Sequence, residues 1–228
     1  MSATVTIGRM AEASPRFKAR IAGVFYLLNI LTGILAQAFV LGRLVVNGDA
    51  GVTAANILSH QPLYRLGLAS ALLCVASYIA VTALFYNLFE PVNRSLSLLA
   101  AFFSLAACTI QAFICLFLLA PLAVLGGAPY LSIFKVEQLR ALALMFLGFY
   151  CLLIGYLIFR SNFLPRILGM LMAMAGLCWL TFLSRPLADY VSPYILGLGI
   201  LGEGSLMLWL IVMGVNAQRW KEQASAAG

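Results

Sequence analysis

Six long apolar runs decide what this chain can fold into. They lie at Ile21–Gly42, Leu63–Phe89, Leu96–Leu119, Leu139–Phe159, Leu164–Ser184 and Val191–Val215, and most of the connections between them are short. About 20 helical residues, rising 1.5 Å each, cross a hydrocarbon core of roughly 30 Å, so every run is long enough to span with some tilt. Lipid offers no water to backbone N–H and C=O groups, so the runs must be helices; barrel strands would be short and alternating. Composition agrees: 64% of residues are hydrophobic, 9% are charged, and the mean hydropathy is +1.03. A soluble domain is about 45–50% apolar and about 25% charged. The expected fold is all-α, a polytopic membrane bundle of six transmembrane helices over residues 21–215, with a basic tail at 1–20 and a second tail at 216–228. The lipid bilayer is its first partner.

The first run competes with a signal peptide, because Ala36-Gln37-Ala38 resembles a cleavage site. The run continues past that site and exceeds the 7–15 residues of a signal core, which favours a retained helix. With the N-terminus inside, the inner segments carry Arg9, Arg16, Lys18, Arg20, Arg94, Arg160, Arg166, Arg219 and Lys221, nine in all. The outer ones carry Arg43, Arg65, Lys135, Arg140 and Arg185, five in all, so both termini are expected in the cytoplasm. The net charge of +7 is thus spread over span ends, which argues against a nucleic-acid partner. Pro15 is expected to break any early helix, and Pro121 to end the third span. Asn47-Gly48-Asp49 reads as a turn, Gly126-Gly127-Ala128-Pro129 as a chain break, and 53–58 as a short surface helix.

The last run holds the one carboxylate set deep in any apolar span, Glu203, within Gly202-Glu203-Gly204. Twelve residues on either side place it roughly 18 Å from each end of the run, near the bilayer midplane. A charge there costs about 2.5–3.5 kcal/mol, and an intramembrane ionisable residue is a functional candidate for that reason. No Lys, Arg or His shares its depth, so the carboxyl is expected to be neutral, hydrogen-bonded to Gln111, Asn29 or Gln37. A purely structural hydrogen bond competes with a role in handling protons or a small molecule. Gly197, Gly199, Gly202 and Gly204 either thin this helix for close packing or weaken it beside a cavity.

Small and polar residues recur on single faces. In the third run Ser97, Ala101, Ser104, Cys108, Gln111 and Cys115 follow spacings of 4, 3, 4, 3 and 4. Tyr26, Asn29, Gly33 and Gln37 share a face of the first run; Gly148, Cys151 and Gly155 mark the fourth, and Gly169, Ala173 and Gly176 the fifth. Such stripes let helices approach closely in lipid. They serve either one bundle or contacts with other membrane helices, a second copy of the chain included.

Signs of chemistry are few. The five cysteines all fall in apolar runs without a CxxC pair, and the single histidine, His60, lies in a connection. A metal site and a cofactor are therefore not expected. Gly202-Glu203-Gly204-Ser205 lacks the nucleophile-elbow order, no His or Lys in a span can serve Ser205 as a base, and Asp49 and Asp189 are assigned to loops. The balance leans against an enzyme and leaves no catalytic residue to name.

The order of several short segments resembles the uncharacterised bacterial membrane-protein family called domain of unknown function 4386. They are Arg20-Ile21-Ala22-Gly23, Gly48-Asp49-Ala50 with Ala55-Asn56-Ile57-Leu58, Pro91-Val92-Asn93-Arg94, Gly155 to Ser161 running into Leu164-Pro165-Arg166-Ile167-Leu168-Gly169, and Gly202-Glu203 with Leu208-Trp209-Leu210. The resemblance implies a multi-pass protein of the bacterial inner (cytoplasmic) membrane and brings no activity. The chain departs from the family pattern at Gln37, Ala71 and Tyr78, where members often carry acids. The resemblance implies departures also at Ser104, where members often carry arginine, and at Tyr150, where they often carry histidine.

Overall fold

The computed structural model describes residues 14–37, 42–44, 46, 50–123 and 129–227; the expected turn at 47–49 and residues 126–128 of the expected break lie outside them. The elements are α1 (Pro15–Ile34), α2 (Ala50–Ser59), α3 (Gln61–Phe89), α4 (Arg94–Ala123), α5 (Pro129–Arg160), α6 (Arg166–Leu180), α7 (Arg185–Val212) and α8 (Ala217–Ala227), with a 3-10 turn at Thr181–Leu183 between α6 and α7. No strand occurs among the described residues.

Several boundaries differ from the sequence reading. Pro15 does not break a helix but opens α1, its missing N–H costing nothing in the first turn, while the Ser14 hydroxyl accepts from the Phe17 amide at 3.3 Å. Pro121 falls inside the last turn of α4 rather than ending it. Asp189, expected in a loop, lies in the first part of α7, which starts at Arg185. Residues 216–228 are more than a tail: α8 fills most of them.

The long helices form a closed ring. α1 packs on α3 and α7, α4 on α3 and α5, and α6 on α5 and α7, so the first and last long helices complete the circle. The polarity is that of a membrane protein. Ser70, Ser77, Thr82, Ser97, Ser104 and Glu203 are buried, whereas Leu31, Leu66, Phe102, Phe113, Leu116, Ile167, Leu177 and Leu208 face outward. Inside, Ser70, Ser77 and Thr82 return their hydroxyls to the carbonyls of Leu66, Leu73 and Tyr78 one turn back. The polar groups are thereby satisfied without water. Among the described residues, five helices are long and apolar enough to cross a membrane alone. The sixth expected span, in α7, qualifies through Gly197–Val212 only together with α8, from which it is bent by 104°.

The small-residue stripes are the seams of this ring. Gly155 and Gly169 meet between α5 and α6, and Gly148 and Gly176 meet two turns further along. The α4 stripe turns inward, with Ser97, Ser104, Cys108 and Cys115 all buried; Ser97 donates to the Tyr86 carbonyl at 3.0 Å and Ser104 shares a hydrogen bond with Thr82. Gly23 brings α1 against α7, where an added Cβ would stand 2.8 Å from Ile211 Cγ1.

Candidate functional site

Glu203 is held where α7 meets both of its neighbours. The Tyr26 hydroxyl of α1 donates to Oε2 at 2.8 Å, and the Trp179 indole N–H of α6 donates to Oε1 at 2.7 Å. The carboxyl therefore joins the three helices that close the ring. It is 8% exposed, and no ion pair reaches it among the described residues. A carboxylate offers about four lone-pair positions, so two donors leave capacity for a third.

Glycine makes this arrangement possible. A Cβ on Gly199 would lie 2.6 Å from Trp179 Cζ2, and one on Gly202 would lie 2.5 Å from the Leu171 carbonyl oxygen. Both glycines serve packing: the first admits the indole that reaches Glu203, and the second seats α7 on α6. Gly197 and Gly204 have nothing within 4 Å of such a Cβ, so close packing does not account for them. Ser205 turns its hydroxyl back to the Leu201 carbonyl at 2.6 Å, which occupies it within its own helix.

The three amides named beside Glu203 make no hydrogen bond to it among the described residues. Asn29 donates instead to the Cys74 carbonyl and sulfur, both at 3.1 Å. Yet Asn29, Gln37 and Gln111 line the same cavity as Glu203, a space of about 200 Å³ walled by Val75, Tyr78, Ala107, Leu144 and Leu147. Gln37 reaches it from a wider π turn at 35–37 that prolongs α1; such turns are frequent at functional sites. A narrower space of about 50 Å³ shares Gln37, Cys74 and Gln111 with the first and extends to Tyr64 and Arg140. Those two residues lie toward the end of the ring away from Arg16 and Met213, which meet at the other end.

Tyr26 and Trp179 are the partners the sequence reading did not assign. Tyr26 was placed on the right face of its helix, but reading across to another helix needs the tertiary fold. Trp179 carried a usable signal: an indole N–H in an apolar span needs an acceptor, and Glu203 was the one deep carboxyl. Around Tyr26 an aromatic cluster fills the interior. Its ring meets Tyr78 edge-on at 5.9 Å and Phe85 at 6.0 Å, and Tyr78 meets Tyr150 at 5.8 Å. The buried hydroxyls of Tyr78 and Tyr150 have no hydrogen bond of ordinary geometry among the described residues. Of the positions at which the resemblance implies a departure from the family pattern, Gln37 and Tyr78 line the larger cavity, Ala71 lines the narrower one, and Tyr150 packs on Tyr78.

These features define a class: a membrane helix bundle with a buried acid beside a cavity of mixed apolar and amide lining. Within that class the chain belongs to the family described as domain of unknown function (DUF4386), whose profile matches residues 21–214. No curated protein and no solved structure matches it.

Proposed function

We propose that this protein binds or transports a small molecule, or moves a proton, at Glu203, within the inner membrane of a bacterium and with both termini in the cytoplasm. One observation carries the reading. The one acid buried in the ring among the described residues borders a cavity that also gathers the amides Asn29, Gln37 and Gln111. A mid-membrane carboxyl is costly to keep, and a purely structural hydrogen bond would need no adjoining space. The fitting ligand is small and largely apolar with at least one N–H or O–H group: the donor meets the remaining lone pairs of Glu203, and the carbon skeleton meets Val75, Leu144 and Leu147. The narrower space toward Tyr64 and Arg140 supplies the route in. Basic residues at the opposite end, Arg16, Lys18, Arg20, Arg94, Arg160, Arg166, Arg219 and Lys221, support the cytoplasmic placement of the termini.

The alternative, a non-catalytic structural or assembly subunit, takes its motive from the small-residue stripes. One of them, Ser97–Cys115, is used within the chain against α3, which favours the first reading.

Labelling by a water-soluble carbodiimide, mapped by peptide mass spectrometry in membranes, tests the proposal. Glu203 should react across the neutral pH range, and Glu203→Gln should abolish the label in its peptide. A Glu203 that never reacts, while Glu90 and Glu222 do, would show that no water or ligand path reaches it. Rescue of every phenotype of a deletion strain by Glu203→Gln would equally sink the reading.

A further inference from the structure

A further cavity lies at the other end of the ring, where α1 begins and α7 bends into α8. It encloses about 530 Å³ between the start of α1, the connection 161–165 and the bend joining α7 to α8. Arg16 and Arg219 stand on its walls with Asn162, Asn216 and Gly214, and Trp209 lines its apolar side.

Both guanidinium groups are pinned by backbone. Arg16 Nε donates to the Met213 carbonyl at 3.2 Å, and Arg219 Nη1 donates to the Asn162 carbonyl at 3.4 Å. Each uses one nitrogen in this way, and the other nitrogens make no hydrogen bond or ion pair among the described residues. A guanidinium has five N–H donors, so the pair holds most of its capacity in reserve. No described acid neutralises the two. Glu90 pairs with Arg94 at 3.4 Å, and Glu222 accepts from Gln218 at 3.2 Å. The same wall carries the first turn of α8. Asn216 Oδ1 accepts from the Arg219 amide at 3.2 Å, and Asn216 and Ala217 both line the cavity. The positive end of the α8 dipole therefore adds to the two cations.

We infer that this cavity holds a phosphate group, and that the group is the headgroup phosphate of an anionic phospholipid. Two arginines on one cavity wall, each with N–H groups to spare, offer fork-like donors to phosphate oxygens. The occupant's remainder must be apolar, because Trp209, Phe163, Leu164 and Met213 complete the lining. A glycerophospholipid has that division, and α8, bent by 104° from the end of α7, turns off the span direction as a helix lying along a headgroup interface would. This site is separate from Glu203 and does not depend on the reading of that residue.

The test uses the purified full-length chain in neutral detergent, with thermal unfolding followed as phosphatidylglycerol or phosphatidylcholine is added. Phosphatidylglycerol should raise Tm and phosphatidylcholine should not. Arg16→Gln/Arg219→Gln should weaken the apparent affinity about tenfold or more, the loss of two charge-assisted hydrogen bonds. Arg94→Gln/Arg166→Gln removes two cations from the same end but outside the cavity, and should respond like the parent chain. Equal responses to the two lipids, or an equal loss in both double variants, would overturn the assignment and leave general surface charge. Inorganic phosphate and glycerol phosphate distinguish the source: protection by either at the same concentration keeps the phosphate site and overturns the lipid as its owner. Because Arg16 and Arg219 also brace the bend, native mass spectrometry of the unaltered chain provides a second measurement. Phosphatidylglycerol should survive on the protein at collision energies that strip phosphatidylcholine, and its equal loss would refute the site.

Discussion

Gly155 and Gly169 face each other so closely that a Cβ added to either would stand 2.7 Å from the other's carbonyl oxygen. The contact is reciprocal and involves backbone on both sides, so neither helix can yield by turning a side chain. In a bilayer, where lipid tails are as apolar as leucine, such close packing is a principal force that joins helices.

Gly155→Val or Gly169→Val should therefore force α5 and α6 apart, at a cost of about 1–3 kcal/mol. Gly204→Ala, with nothing within 4 Å of the new methyl group, should stay within about 0.5 kcal/mol of the parent. Unfolding in mild detergent measures both, and equal stability for Gly155→Val and Gly204→Ala would contradict the seam.

Gly199 and Trp179 should behave as one unit. Gly199→Ala places a methyl group against the indole and displaces its N–H from Glu203. Trp179→Phe removes the same hydrogen bond directly. The double variant should then be no less stable than Trp179→Phe alone, whereas two independent sites would add.

Tyr26→Phe deletes the other donor to Glu203. Hydrogen bonds inside membrane proteins average about 0.6 kcal/mol and reach about 1.7, so the stability loss should be modest. The larger effect falls on reactivity: with one oxygen released, carbodiimide modification of Glu203 should accelerate. An unchanged rate would mean that Tyr26 does not restrain the carboxyl.

The cysteines report the cavities without any substitution. Cys74 lines both spaces beside the site and the buried Cys108 borders the larger one, while Cys115 and Cys151 are buried and line neither. A small water-soluble thiol reagent should modify Cys74 well before Cys151, and a bound ligand should protect it. Equal rates would argue against a path to Glu203.

Gly214 is the turn between α7 and α8, at φ +67°, and its added Cβ would meet Arg16 Cγ at 2.9 Å. Gly214→Ala should cost about 1–2 kcal/mol in backbone strain alone. It should also loosen α8, which is otherwise fastened by the Trp220 indole donating to the Leu88 carbonyl at 2.9 Å. Faster proteolysis at residues 216–228 is the expected sign.

Lipid as solvent made the long helices legible from residue order, because a run of apolar residues can satisfy its backbone in hydrocarbon only by coiling. The same reasoning marked Glu203 as costly, and marked Gly148, Gly155, Gly169 and Gly176 as contact positions, since both properties belong to single residues or to one helical face. Partnerships were not legible in that way. Asn29, Gln37 and Gln111 reach the cavity but not the acid, while Tyr26 and Trp179 reach the acid from helices on opposite sides of α7. Which face meets which depends on the order of helices around the ring and on their rotation about their own axes. Both follow from how backbones nest at the glycines, a summed packing energy that no local stretch of sequence contains.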